Sequence, residues 1–206
     1  MAASSKSALF VCRGNICRSP IAEAVFRHVA KERGVLAEWN IDSAGTGNKH
    51  VGSAPDRRAI QCLKDHNVEM DHRARQVTLD DFRDFDYIFA MDNANLSDLK
   101  DLAPKGSKAK VELLGKYDPE GQTTIRDPYK DSGSQGFEKV YVQCLRCCYR
   151  FFDVSAAERH PGLFGSIGKP FLLLPLFLHI LAVVAKPLYK VPRLPVDASS
   201  CRPVPS

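Results

Sequence analysis

The sequence contains no uncharged apolar run long enough to cross a membrane as a helix. Its longest such run, Phe171–Ala185, has 15 residues, whereas a spanning helix needs about 20. The first residues, Met1–Ser7, lack the apolar centre of a secretory signal peptide. The seven cysteines are odd in number and scattered, unlike a small secreted disulfide framework. We therefore expect a protein of the reducing cytoplasm.

An excess of charge of one sign is also absent from most of the chain. The residues before 156 carry 23 basic and 22 acidic side chains, so nucleic acid is not an expected partner. Residues 156–206 carry six basic and two acidic side chains and hold eight of the 13 prolines. This change of composition predicts a domain over residues 1–156 and a Pro-rich, partly hydrophobic extension over residues 157–206, poorly ordered or membrane-associated.

Three interpretations of that extension stay open. It is a translated segment without an evolved function, a membrane anchor, or a hairpin packed on the domain. The anchor hypothesis places residues 171–190 in contact with a membrane surface. Its support is that the apolar run is followed by basic side chains at Lys186, Lys190 and Arg193, which suit anionic lipids.

The most informative stretch is a short loop that follows an apolar run. In it, Cys12 is followed six positions later by Arg18, with Gly14 and Asn15 between them. A loop of this kind can curl around a tetrahedral oxyanion, because its backbone N–H groups point inward and the planar guanidinium binds two oxygens at once. The spacing predicts an anion pocket with a built-in nucleophile.

The residues after this loop are typical of a helix start. Ser19 suits the N-cap and Pro20 the first helical position. The positive end of that helix would then point at the loop, where it favours a bound anion and the thiolate form of Cys12.

Strand-like and helix-like segments alternate along the domain. Short apolar runs predict strands at 8–11, 39–44, 87–91 and 111–114, and amphipathic spacing predicts helices at 20–33, 55–66, 93–102 and 136–152. We therefore expect an α/β fold of three layers: a four-stranded parallel sheet flanked by helices on both faces, with the phosphate-binding loop after the first strand.

A long connection between the last strand and the last helix, residues 115–135, holds two Asp-Pro pairs. They are Asp118-Pro119 and Asp127-Pro128. Loops of this length in a compact domain are usually functional or disordered. Most Asp-Pro pairs are ordinary turns, so their presence in this connection does not indicate which aspartate, if either, is a catalytic acid.

Taken together, these residues resemble the low-molecular-weight protein tyrosine phosphatases. The resemblance rests on the Cys12 to Pro20 loop and on Asp127-Pro128-Tyr129, and it extends over residues 7–156. It implies a metal-independent hydrolase, without a cofactor, that acts on phosphotyrosine-containing proteins and small aryl phosphates and releases inorganic phosphate. Cys12 would attack phosphorus, Arg18 would hold the phosphate oxygens, and Asp127 would act as acid and then as base.

The resemblance also assigns supporting and substrate-contacting residues. Ser19, Ser43 and His72 would support the loop, Ser19 by donating to the sulfur and the other two through Asn15. Cys17 would trap an oxidised Cys12 as a reversible disulfide. The residues expected to contact substrate are Arg13, Gly14, Asn15, Ile16, Cys17 and Tyr129. Of these, Arg13 departs from the family pattern, because animal members usually have an apolar residue at this place. The apolar Ile16 favours aryl phosphates, and Arg13, Lys49, His50 and Lys130 predict a basic pocket mouth.

Two alternatives share the loop. An arsenate reductase of the same fold uses additional mid-chain cysteines, and residues 77–102 contain none. A non-catalytic phosphotyrosine-binding module would have lost part of its chemistry, whereas Cys12, Arg18 and Asp127 are all present. Both features favour the phosphatase.

Overall fold

The structure, a computed structural model, describes residues 6–159. The membrane contact predicted for residues 171–190 lies outside the described residues, as does all of the predicted extension after 159. The elements in chain order are β1 (Lys6–Cys12), α1 (Arg18–Glu32), β2 (Trp39–Gly45), α2 (Arg57–Asp65), α3 (Asp81–Asp84), β3 (Tyr87–Ala90), α4 (Asn93–Leu102), β4 (Lys110–Leu113) and α5 (Gln135–Arg159), with short 3₁₀ turns at Leu36–Glu38 and Leu114–Tyr117.

The four strands form one parallel sheet in the order β2-β1-β3-β4. The chain therefore leaves β1 in one direction to reach β2 and later crosses to β3 on the other side. In open parallel sheets, a crevice for ligands opens at such a switch of direction, beyond the carboxyl ends of the strands. The loops that follow β1 and β3 meet there.

The central strand β1 is buried on both faces, which explains its continuous apolar sequence. Its alternate residues enter two separate cores. Phe10 packs with Phe26 and Phe89 beneath α1 and α5, whereas Leu9 and Val11 belong to the core on the α3 and α4 side. Each buried aromatic or branched side chain of this kind contributes about 1.5–3 kcal/mol. The predicted three-layer fold is confirmed.

The start of α1 differs from the prediction. The helix begins at Arg18, with Cys17 as an N-cap residue whose side chain makes no capping hydrogen bond. The assignment of Ser19 as N-cap is therefore wrong. Its hydroxyl lies in the first turn of the helix and contacts the Cys12 sulfur instead of capping the helix.

The last helix, α5, runs to Arg159, three residues beyond the predicted end of the domain. Its predicted apolar face is buried, with Phe137, Cys144 and Cys148 fully enclosed. Among residues 6–159, no helix combines the length and the apolar character that a membrane crossing requires.

Candidate active site

The loop between β1 and α1 is held from outside through its carbonyl groups. Thr46 N and Gly47 N donate to the carbonyls of Cys12 and Arg13, and Asp56 N donates to that of Ile16. In a trans peptide the N–H points opposite to the C=O. The N–H groups of the same peptide units are thereby turned toward the inside of the loop, where an oxyanion can accept from them.

Gly45, at the end of β2, lets this loop approach closely. A Cβ at that position would lie 2.9 Å from the Arg13 carbonyl oxygen and 3.1 Å from that of Gly47. Such a contact would push the loop away from β2 and break the hydrogen bonds that orient it. The glycine is therefore needed for the shape of the pocket.

Cys12 lies at the end of β1 on the floor of the cleft and is 3% exposed. Its Sγ accepts a hydrogen bond from the Asn15 backbone N–H at 3.3 Å and lies 3.1 Å from the Ser19 hydroxyl oxygen. Both contacts, together with the start of α1, place positive or donor groups around the sulfur. These are groups that can donate hydrogen bonds to the sulfur or attract an anion bound beside it.

Asn15 has a left-handed backbone, with φ of 53°, and reverses the chain in the middle of the loop. Its amide nitrogen donates to the hydroxyls of Ser19 and Ser43, at 3.0 and 2.9 Å. Its amide oxygen accepts from His72 Nε2 at 2.9 Å and from the Arg75 backbone N–H at 2.8 Å. Asn15 was expected to contact substrate, but it does not line the cleft; its side chain is committed to holding the loop.

Glu23 completes the support behind Asn15. Its carboxylate lies 3.1 Å from His72 Nδ1 and accepts from the Ser43 hydroxyl at 2.8 Å. Burial alone would raise the pKa of Glu23, but the hydrogen bonds from His72 and Ser43 outweigh it and lower the pKa. A buried carboxylate therefore holds the His72 ring while its other nitrogen bonds Asn15.

Arg18 joins the loop to the rest of the cleft. Its guanidinium donates to Asp92 at 2.5 Å, to the Ile125 carbonyl at 3.1 Å and to Asp127 at 3.0 Å. Burial opposes its charge, yet Cys12, the hydrogen bond to Asp92 and Asp127 together raise the pKa of Arg18. The side chain is 3% exposed, and its Nε has no hydrogen-bond partner among the described residues, so a donor remains for a ligand.

The two Asp-Pro pairs of the long connection have different surroundings. Asp127 lines the cleft and its side chain is 48% exposed. Asp118 is fully enclosed and forms a two-pronged pair with Arg146, at 3.0 and 2.8 Å. Only Asp127 can approach a substrate, because Asp118 is paired in the interior.

The segment that carries Asp127 is held by Arg58, in the first turn of α2. Arg58 donates to the Tyr129 carbonyl at 3.0 Å and to the Asp131 carbonyl at 2.6 Å. Asp56 binds the same guanidinium through both carboxylate oxygens, and the guanidinium stacks 4.5 Å from the Phe137 ring centre. One side chain thus fixes the acid-bearing loop relative to the phosphate loop, because Asp56 also binds the Ile16 carbonyl.

The cleft has a volume of about 690 Å³. Its described lining includes five of the six residues expected to contact substrate: Arg13, Gly14, Ile16, Cys17 and Tyr129. Tyr129 and His50 form its upper walls, with ring centres 6.2 Å apart and planes inclined by 62°. Lys49, Arg126 and Lys130 add positive charge at the rim.

Cys17 lies in the same cleft but in a different electrostatic setting. Burial, and then the Asp56 carboxylate 4.0 Å away, raise the pKa of this thiol well above its usual range, and the Cys12 sulfur adds to the effect. Cys17 is therefore kept as a neutral thiol beside Cys12, and a neutral thiol is a poor nucleophile.

Several supporting residues escaped the sequence reasoning. Asp92 follows β3 as the N-cap of α4, accepting from Asn95 N while it binds Arg18. An acidic residue after a strand and before a helix at the sheet's switch point was the available signal. Glu23 and Arg58 gave none, because the contacts that tie them to the site, to His72 and Ser43 and to the Tyr129 and Asp131 carbonyls, come from distant parts of the chain. Arg75, which binds Asp42 and Asp81 in addition to Asn15, was likewise not indicated by any pattern in the sequence.

A metal ion does not suit the supporting network. Glu23, Asp42 and His72 have donor atoms within 4.8 Å of one another. However, the carboxylate of Glu23 is already bound by His72 and Ser43, and that of Asp42 by Arg75. A cation here would have to break the contacts that shape the phosphate loop.

The first strand of this parallel sheet ends in a cysteine, and the loop that follows it carries an arginine and the geometry of an anion pocket. An exposed aspartate faces this loop across the cleft. This arrangement is that of a cysteine-dependent phosphatase. Comparison with known proteins agrees. The family model described as low molecular weight phosphotyrosine protein phosphatase matches residues 7–159. The chain therefore belongs to that family and is a phosphatase.

Its relatives match over most of their lengths. It is 55% identical to the low molecular weight phosphotyrosine protein phosphatase of Rattus norvegicus over 151 residues, which is 72% of this chain and 95% of the relative. The crystal structure of Primo-1 is 44% identical, with a TM-score of 0.70 over 72% of this chain and 97% of that one. That of DARP, a Drosophila arginine phosphatase, is 43% identical, with a TM-score of 0.69 over 72% and 96%.

Proposed function

We propose that Cys12 is the nucleophile, Arg18 the phosphate-binding residue and Asp127 the general acid of this phosphatase. The observation that carries the proposal is that all three line one cleft, with Arg18 in contact with Asp127 at 3.0 Å. In the first step the Cys12 thiolate attacks phosphorus, the bond from phosphorus to the leaving oxygen breaks, and Asp127 gives its proton to that oxygen.

The second step releases inorganic phosphate. Asp127, now ionised, removes a proton from a water molecule that attacks the phosphocysteine, and the sulfur leaves as a thiolate. Arg18 and the inward N–H groups bind the phosphate oxygens in both steps, where negative charge develops. The network of Asn15, Ser43 and His72 keeps those donors in place, and Ser19 donates to the sulfur that leaves.

The proposed substrates are phosphotyrosine-containing proteins and small aryl phosphates. The apolar Ile16 and the Tyr129 ring offer an aromatic leaving group two surfaces against which to pack. We also propose that residues 1–156 act as the catalytic domain in the cytoplasm. Oxidation of Cys12 would stop the proposed mechanism, so a reducing compartment suits it.

The positive charge at the rim of the cleft indicates which phosphotyrosine peptides are preferred. Arg13, Lys49 and Lys130 are exposed at the cleft and form no ion pair among the described residues. Each pairing with an acidic flanking residue would contribute up to about 1 kcal/mol. We therefore propose that phosphotyrosine with acidic neighbours is preferred.

Steady-state kinetics on matched peptides test these substrate proposals. At low salt, we expect kcat/KM to be about three- to tenfold higher for a phosphotyrosine peptide with Asp and Glu neighbours than for one with Lys neighbours, and the ratio should fall as salt rises. Arg13→Ala with Lys49→Ala should reduce the preference, whereas Lys105→Ala, outside the cleft, should not. Equal rates on both peptides would contradict the rim proposal, and faster hydrolysis of phosphoarginine would contradict the aryl assignment.

We further propose that Cys17 protects Cys12 from irreversible oxidation. Peroxide converts the Cys12 thiolate to a sulfenic acid; attack by Cys17 then forms a disulfide and releases water. Oxidation removes the negative charge on Cys12, which is one cause of the raised pKa of Cys17. The resolving thiol therefore ionises more easily once Cys12 is oxidised.

Recovery of activity after peroxide treatment measures this role. We expect the parent chain to regain most of its activity with a thiol reductant, and Cys17→Ser to regain much less because its Cys12 proceeds to the sulfinic acid. Cys147→Ser, which removes a buried thiol outside the cleft, is the matched control. Full recovery of Cys17→Ser would refute the protective role.

A further inference from the structure

A second group of reactive side chains lies outside the lining of the cleft, between α2 and α5. Cys62 and His66 are four residues apart at the C-terminal end of α2, and Glu138 is in the first turn of α5. Residues four apart on a helix lie on the same face, so both α2 side chains meet the start of α5. None of the three lines the catalytic cleft.

The donor atoms of this group already converge. The His66 Nε2 lies 2.8 and 3.0 Å from the two carboxylate oxygens of Glu138. The Cys62 Sγ lies 3.6 Å from one of those oxygens, and one donor atom from each residue falls within 4.8 Å of the others. A sulfur, a nitrogen and an oxygen therefore face a common point.

The direction of the histidine is fixed by a second contact. Its ring stacks on Tyr141 of α5, with ring centres 3.8 Å apart and planes inclined by 11°. Cys62 is buried, while the side chains of His66 and Glu138 are 29% and 27% exposed. An ion can therefore reach ligands that are already oriented.

We propose that Cys62, His66 and Glu138 form a zinc-binding site. Thiolate, imidazole and carboxylate together suit Zn²⁺, whereas Mg²⁺ and Ca²⁺ prefer oxygen ligands alone. Three protein ligands leave the fourth tetrahedral position to water.

The geometry needs a small adjustment. With bonds of about 2.3 Å to sulfur and about 2.0 Å to nitrogen and oxygen, tetrahedral ligands lie roughly 3.3–3.7 Å apart. The Cys62 to Glu138 spacing is already in this range, and the His66 to Glu138 spacing must open by about half an ångström. The Cys62 to His66 spacing, which is within 4.8 Å, must also come into this range.

The protons also balance. Burial and the adjacent Glu138 raise the pKa of the Cys62 thiol to about 12, so Zn²⁺ must displace that proton to solvent. The Nε2 proton that faces Glu138 moves to Nδ1 of the neutral ring or, from the doubly protonated ring, also leaves to solvent.

A zinc ion here would connect α2 to α5 and so increase the stability of the folded state. The first turn of α2 carries Arg58, which holds the segment of Asp127 through the Tyr129 and Asp131 carbonyls. A ligand that binds only the native state raises its stability by mass action. We expect Zn²⁺ at about 100 times its Kd to raise the Tm by about 5 °C or more.

The experiment uses the full chain carrying Cys12→Ser, because the Cys12 thiolate is itself a potential zinc ligand. Zinc alone is titrated against a competing chelator, and Co²⁺ serves as the spectroscopic probe. We expect one site, with the thiolate-to-cobalt charge-transfer band and strong visible bands of tetrahedral coordination. Cys62→Ser should remove the charge-transfer band, and Cys62→Ser and His66→Gln should each weaken zinc binding by more than about tenfold.

The chain supplies a matched control for the histidine. His28 lies 3.5 Å from Glu32 but has no cysteine beside it in the described contacts, so His28→Gln should leave binding and the Tm shift unchanged. If His66→Gln lowers the Tm of the metal-free protein, its weaker binding could reflect unfolding. The loss of the charge-transfer band in Cys62→Ser then decides whether the thiolate is a ligand. Absence of saturable binding, or binding that survives both Cys62→Ser and His66→Gln, would overturn the proposal.

Discussion

Replacing Cys12 by serine is expected to lower kcat for p-nitrophenyl phosphate by on the order of 10⁴-fold or more, with a metal chelator present. Within residues 6–159, the hydrogen-bond contacts of Sγ are the Asn15 N–H and the Ser19 hydroxyl. These groups can donate hydrogen bonds to the sulfur, but neither is a base that could remove a proton from a serine hydroxyl at this position. An alcohol, which ionises far less readily, gains little from them.

Binding should survive the same substitution. Arg18, the inward N–H groups and the start of α1 do not depend on the sulfur, so Cys12→Ser should still bind phosphotyrosine peptides and inorganic phosphate. Equilibrium binding together with an unchanged Tm would show that the loop is intact. Retention of activity within about tenfold of the parent would refute the nucleophile assignment. Loss of binding together with a lower Tm would instead assign Cys12 a structural role.

The sequence predicted the fold well because β1 and its neighbours carry a strong local signal. A fully buried parallel strand reads as a continuous apolar run, as residues 8–11 do, and glycine and proline mark the connections. Helix α4 has the predicted bounds, Asn93–Leu102. The start of α1 was misplaced because Ser19 is a good N-cap by composition, whereas its hydroxyl is bound by the cysteine and asparagine of the loop.

The residues that support the site could not be predicted from spacing alone. His72 meets Asn15 across 57 positions of sequence and Arg58 meets Asp131 across 73. Such contacts arise from the packing of α2 and the loops at the sheet edge, which leaves no periodic pattern in the sequence. Resemblance to the family pointed to His72 and Ser43, while Asp92, Glu23 and Arg58 emerged from the geometry.

The support network behind the loop and the cations at the rim of the cleft differ in physical character. Glu23 and His72 are nearly enclosed, with side chains 8% and 6% exposed, so each is costly to leave unpaired. The rim cations are exposed and individually weak. Substitutions behind the loop should therefore affect stability and rate together, whereas those at the rim should change substrate choice alone.

Replacing Asp127 by asparagine is expected to lower kcat for phenyl phosphate and phosphotyrosine peptides by about 10²- to 10³-fold. A phenolate or tyrosinate leaves poorly without a proton, and asparagine cannot supply one. The loss in kcat/KM, which reports the first step, should be smaller for p-nitrophenyl phosphate, whose leaving group is stable as an anion. Asparagine keeps an oxygen that can accept from Arg18, as Asp127 does at 3.0 Å, so substrate binding should change little.

Asp118→Asn is the matched control, because it alters the other Asp-Pro pair of the same connection. It breaks a buried two-pronged pair with Arg146, which should cost about 3–5 kcal/mol of unfolding free energy. The folded fraction should keep its kcat and its dependence on the leaving group, because Asp118 does not line the cleft. A plot of log kcat/KM, which reports the first step, against leaving-group pKa should therefore steepen for Asp127→Asn alone. Steepening for Asp118→Asn instead would transfer the acid role to Asp118.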